Sequence, residues 1–213
     1  MELTAKRLSI LAWGVSGSVA AMALIAWGQG LRWYFSNLST YRLFPIFGLL
    51  AFSLMWSMYM VGFIRRRYAI SAEKLKLYYK TLPLLIFLFI MLHPGLLIWQ
   101  LWRDGFGLPP QSYLQHYVAP SLRWAVFISS TAWLVFIAYE FRYRYHDRSW
   151  WKYFEYAADL ALVGIFFHAL ALGTQLRHGW FRYVWFFYGA VLIAILTDLY
   201  VSRIKSHRQK TSS

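Results

Sequence analysis

The run Trp150–Trp151–Lys152–Tyr153–Phe154–Glu155, continued by AADLALVGIFFHALALG to Gly173, decides the fold. It is long and apolar enough to cross a bilayer as one helix, which takes about 20 residues, and it carries one histidine, His168, deep in apolar sequence. Steps back from His168 at helical spacing reach Gly164, Ala161 and Ala157, and a step forward reaches Ala171. These positions share one face, so the imidazole stands in a strip of tiny side chains. Leu160, Leu162, Ile165, Phe166 and Phe167 fill the other sides. Such a strip lets something approach the backbone closely, either a neighbouring helix or a flat macrocycle hung on the histidine.

The same texture extends through the chain. Of 213 residues, 60% are hydrophobic and 21% aromatic, while 14% are charged; a soluble domain has about a quarter charged. Six apolar runs can be marked, at 8–27, 44–64, 82–101, 122–139, 151–172 and 181–201. They predict an all-α polytopic membrane protein, a six-transmembrane-helix up-down bundle occupying residues 1–204 as one domain, with a frayed polar tail at 205–213. Short loops imply that sequential helices are neighbours. No room is left for a soluble nucleotide- or flavin-binding fold. The first run follows Lys6 and Arg7 as a secretory signal does, with Ser18–Val19–Ala20 as a possible cleavage site, but it continues through Ile25 and Trp27, beyond a usual signal core. It is read as a retained helix.

The net charge of +14 would suggest nucleic-acid binding in a soluble protein. Here its distribution indicates topology. With six spans, the N-terminus, second loop, fourth loop and tail share one side and hold 16 of the 22 basic residues, including Arg65, Arg66 and Arg67. The positive-inside rule then places both termini in the cytoplasm, as for an integral protein of a bacterial inner (plasma) membrane, with the basic excess facing anionic lipid and no nucleic acid. The absence of cysteine excludes disulfides, Fe–S clusters and thiolate-ligated or covalently attached haem. Histidine-ligated haem, histidine/carboxylate metal sites, or no cofactor remain.

Along the chain, Gly14, Gly17 and their small neighbours predict close packing of the first helix. Trp27, Trp33, Tyr34 and Tyr41 read as an interfacial aromatic belt. The third span, LPLLIFLFIMLHPGLLIWQLW, holds His93 with Pro94 directly after it, and a proline there removes a backbone bond and predicts a kink. The loop 103–120, with Gly105, Gly107, Pro109 and Pro110, reads as irregular and external. His93 and His168 are the histidines within the spans; His116, His146, His178 and His207 fall in loops or the tail. At about 1.5 Å per residue, His93 lies about 16 Å in from the cytoplasmic end of its span and His168 about 25 Å, both on the external side of the midplane. Either imidazole alone is explained by a hydrogen bond to another helix. The pair points further, because intramembrane ionisable residues are rare and tend to be functional. Two imidazoles at similar depth, on separate helices, are what axial ligation of one haem requires.

From Phe44 to Val201 the sequence resembles the ferric reductase-like transmembrane domain family, which includes NADPH oxidases, STEAP metalloreductases and the haem subunit of the periplasmic methionine sulfoxide reductase system. The resemblance is most specific in Arg148–Ser–Trp–Trp–Lys–Tyr–Phe–Glu155, in Phe167–His168–Ala–Leu–Ala–Leu–Gly173 and in Leu92–His93–Pro94. It implies six helices, haem b ligands on the third and fifth, and an oxidoreductase that needs a separate cytoplasmic reductase, flavoprotein or quinol as donor and an external acceptor. Many members carry two histidines on each of those helices, 13 or 14 residues apart, holding two haems. Here those positions are Tyr79 and Glu155. The resemblance therefore implies one haem b, on the external side, between His93 and His168.

The vacated inner position is flanked by Tyr79, Trp150, Trp151, Phe154 and Glu155, with Asp159 one turn beyond Glu155. Tyr79, Glu155 and Asp159 read as a proton path or an inner flavin or quinone site; ion pairing of Glu155 and Asp159 with Lys152, Arg148 or another helix is the plainer alternative. Arg103, Arg177 and His178 at the external rim suit haem propionates and equally suit an ordinary interface. Two readings compete with the cytochrome: a proton- or ion-coupled transporter or channel using Glu155, Asp159 and Asp198, and a cofactor-free membrane assembly subunit.

Overall fold

The computed structural model describes residues 5–145 and 147–211; His146 lies outside them. Six long helices account for most of the chain: α1 (Ala5–Gly30), α2 (Thr40–Arg67), α3 (Lys76–Arg103), α4 (Arg123–Tyr139), α5 (Trp151–Leu172) and α6 (Trp180–Thr211). Among the described residues there is no strand. Six helical segments corresponding to these are long and apolar enough to cross a membrane. The expected spans are recovered: α1, α2, α3 and α6 run past the expected bounds, α4 matches them to within one residue and α5 coincides with them. In the described part of the expected tail α6 continues as helix to Thr211, and residues 212–213 lie outside the described residues. Pro94 does not break α3, which is helical throughout despite Pro83 and Pro94.

α2 is the hub. Of its apolar window 56% is buried, against 28% or less for each of the other five. It packs along α1 and α3 and, more briefly, along α6. The α1 face that makes this contact is Leu8, Ala12, Ser16, Val19, Ala23 and Ala26, all buried. Gly14 and Gly17, expected to serve close packing, point elsewhere: a Cβ at either would meet nothing within 4 Å. The hydroxyls on the contact face bond one another, Ser16 Oγ lying 2.9 Å from Ser57 Oγ and 3.0 Å from the Tyr78 hydroxyl. Apolar surroundings make such satisfaction obligatory.

Sequential helices are not always neighbours. α4 and α5 pack closely as a hairpin, but among the described residues α3 with α4, and α5 with α6, make little close backbone contact. The hairpin meets the rest mainly through side chains. The Phe166 ring of α5 fills the notch at Gly189 of α6, where a Cβ would lie 2.5 Å from Phe166 Cζ. Above it Trp185 stacks on Phe52 at 4.3 Å and its indole N–H donates to the Phe166 carbonyl at 3.3 Å. Trp185 is fully buried, so Trp185→Ala should lower stability by about 3–5 kcal/mol and Trp185→Phe by less, read as unfolding midpoints in one detergent.

Candidate functional site

Each histidine is positioned by a helix other than its own. His93 Nδ1 is 3.0 Å from the Phe44 carbonyl oxygen of α2, and His168 Nδ1 is 3.0 Å from the Ala125 carbonyl oxygen of α4. A carbonyl only accepts, so in both rings Nδ1 carries the proton and donates it, and Nε2 holds the lone pair. Neither Nε2 has a hydrogen-bond partner among the described residues. The rings face one another across the seam between α3 and α5, centroids 6.5 Å apart and planes at 87°. Both are half-buried. Gly48 of α2 makes the approach possible: a Cβ there would lie 2.7 Å from His93 Cε1 and 2.8 Å from Nδ1. Phe44 also packs its ring on His93, at 5.2 Å.

The separation would admit a metal ion between the rings. Two axial bonds of about 2.0 Å, each extended by roughly 1.1 Å from nitrogen to ring centre, put two centroids about 6.3 Å apart. A plain aromatic contact reaches the same range, but it does not call for two Nδ1 protons tied to carbonyls and two Nε2 lone pairs left over. That combination is the usual outer-shell arrangement of metal-ligating histidine. No group of three or more His, Cys, Asp or Glu residues that could hold a metal is found among the described residues. Counted from the first residue of its helix, Lys76 for His93 and Trp151 for His168, each histidine stands seventeen residues on.

The small-residue strip on α5 serves helix packing. A Cβ on Gly164 would lie 2.8 Å from Ile128 Cγ2 of α4, and Ala161 is buried. Of the two uses that the strip leaves open, Gly164 serves the neighbouring helix, not an open groove.

A second polar locus lies toward the end of the bundle that carries Arg66. Asp159, buried, accepts from the Tyr59 hydroxyl of α2 at 2.6 Å and from the Tyr200 hydroxyl of α6 at 2.9 Å. Glu155 pairs with Arg203 of α6 at 3.0 Å, the inter-helix pairing that the sequence left as an alternative. Tyr59, Arg66, Tyr139, Glu155, Asp159 and Arg203 line a chamber of about 210 Å³. Asp198 is exposed and does not line it. Tyr79 is beside Gly62 of α2, its hydroxyl 4.0 Å from where a Cβ there would stand, and does not line the chamber either. Trp151 and Phe154 stack on each other at 5.3 Å.

At the opposite rim, Arg103 lies over the Trp99 ring at 4.8 Å and 3.9 Å from Asp104, while Arg177 and His178 are exposed in the α5–α6 turn. The structure records no contact between these three and the histidine pair. Sequence reasoning missed a latch here. Asp104 accepts from Gln100 Nε2 and from the Tyr41 hydroxyl, both at 2.8 Å, joining the start of α2 to the end of α3. Those two bonds hold its carboxyl below the usual carboxylate range, so the latch is present at neutral pH and is lost only as pH falls below that range. The carbonyl anchors, Gly48, Tyr59 and Tyr200 were also missed.

Comparison with protein-family models, with curated proteins and with solved structures finds no match. The site is therefore argued from its own geometry. With histidine labelled in ¹⁵N, His93 and His168 should both report the Nδ1-protonated neutral tautomer in cofactor-free protein. Gly48→Ala should disturb the His93 signals and leave those of His168 in place.

Proposed function

We propose that the chain is a membrane b-type cytochrome of the ferric reductase-like kind. One haem b is held between His93 and His168, electrons arrive from a separate cytoplasmic reductase, flavoprotein or quinol, and they leave to an acceptor outside. The observation that carries this reading is the pair of carbonyl-anchored imidazoles, 6.5 Å apart on helices that make little close backbone contact. The resemblance of the segments around His93 and His168 to that family supports it independently. In the bacterial inner membrane, with both termini cytoplasmic by the positive-inside count, the pair lies toward the external leaflet.

Haem, when bound, supplies a one-electron carrier. The chain's own part is to hold it and to fix its surroundings. The Phe44 and Ala125 carbonyls set the tautomer, so both Nε2 lone pairs are presented without prior loss of a proton. With both imidazoles given to its iron, a haem held by His93 and His168 would supply outer-sphere electron transfer rather than a site for oxygen or substrate. Gly48 admits the His93 ring, and Phe44 covers one side of it.

Detergent-purified protein should therefore be coloured, with one b-type haem per chain by pyridine haemochrome. His93→Ala and His168→Ala should each lose it, while Gln175→Ala, a half-exposed position in the α5–α6 turn, should keep it. Full haem content in both histidine variants would remove the assignment. A colourless wild-type protein whose ion flux depends on Asp159 would favour the transporter reading, which rests on the buried carboxylate in a polar chamber.

A further inference from the structure

The chamber around Asp159 has a feature that the cytochrome reading does not use: a buried carboxylate joined by polar groups to an exposed end of the bundle. Arg66, at the last turn of α2, is exposed, Glu155 and Arg203 are half-buried, and Asp159 is 7% exposed. Every helix packed around the carboxylate contributes a polar group. These are Tyr59 and Arg66 from α2, Tyr139 from α4, Glu155 from α5 itself, and Tyr200 and Arg203 from α6. Two arginines offset two carboxylates, so the chamber is close to neutral and offers no net field to a free anion or cation.

Volume narrows the occupant. Organic ligands occupy pockets of about 300–1,000 Å³, above the 210 Å³ here, so the space and its polar lining suit small polar molecules best. Water is one, at about 30 Å³ a molecule, and the lining supplies the several polar partners each water needs. Polar lining in a span is otherwise costly.

We infer that this chamber is a water-filled proton inlet and that Asp159 is the carboxyl at its closed end that takes up and releases a proton. The inference stands on the chamber's geometry and does not depend on what the histidine pair holds. Uptake transfers H⁺ from a hydronium ion, delivered from solvent along the chamber water, to one carboxylate oxygen and leaves a water molecule. That oxygen changes from acceptor to donor, and the tyrosine O–H it displaces, from Tyr59 or Tyr200, turns to a water. No other bond breaks and no electron moves.

Infrared difference spectroscopy of the full chain in detergent, between alkaline and acidic buffer, tests this. Of the protonated-carboxyl C=O intensity that appears on acidification, one component should shift in D₂O within the mixing time, vanish in Asp159→Asn and persist in Glu155→Gln, while the remaining carboxyls contribute alike to every variant. If Asp159→Asn does not fold, Tyr59→Phe and Tyr200→Phe give the same information, since each removes one hydrogen bond to the carboxyl and should move the band to higher frequency. A difference spectrum that Asp159→Asn leaves unchanged, or a component lost in Glu155→Gln as well, overturns the assignment. So does a band unmoved by both tyrosine variants, or one that exchanges with D₂O only over hours. Loss of haem in the histidine variants with this band intact separates the proposal from the cytochrome reading.

Discussion

A polar group inside a bilayer is costly without a partner in the protein, and several of the ties between helices in this chain follow from that cost. The two histidines meet it by donating through Nδ1 to carbonyls on neighbouring helices. Ser16, Ser57 and Tyr78 meet it together. Asp159 meets it with two phenols. Each solution ties helices that are distant in sequence, so polar satisfaction, more than apolar contact, fixes which helix faces which. Apolar side chains alone would pack against lipid nearly as well as against each other.

The histidine bonds do more than satisfy donors. Using Nδ1 leaves the outward nitrogen of each ring without a partner, and the rings stand where α3 and α5 keep their backbones apart. A pair whose purpose was only to join two helices would spend both nitrogens, or would let the helices close. The hub helix α2 supports this arrangement twice, with the Phe44 carbonyl and with the bare backbone of Gly48, one turn apart on the same face.

The six spans were legible because length and apolarity leave few alternatives for such a chain, and His93 and His168 stood out as rare ionisable residues at depth. Their anchors were not legible. A backbone carbonyl leaves no mark in sequence, and Tyr59 and Tyr200 are two among 16 tyrosines. Small residues misled in one place and were ambiguous in another. Gly14 and Gly17 face open space and Gly164 faces Ile128, since a missing side chain serves close packing, an open groove or a notch for a ring equally well. Asp198 shows the converse: its helical position was plain, but which side of α6 turns inward depends on tertiary contacts.

The α4–α5 hairpin touches the remainder of the molecule through rings and hydroxyls, with little close contact between backbones. A seam of that kind can part without unzipping two interlocked helices, because the long side chains that bridge it can re-seat one at a time. The hairpin is thus held by bridges that single substitutions can remove one at a time, among them the Phe166 ring in the Gly189 notch and the Trp185 indole on the Phe166 carbonyl.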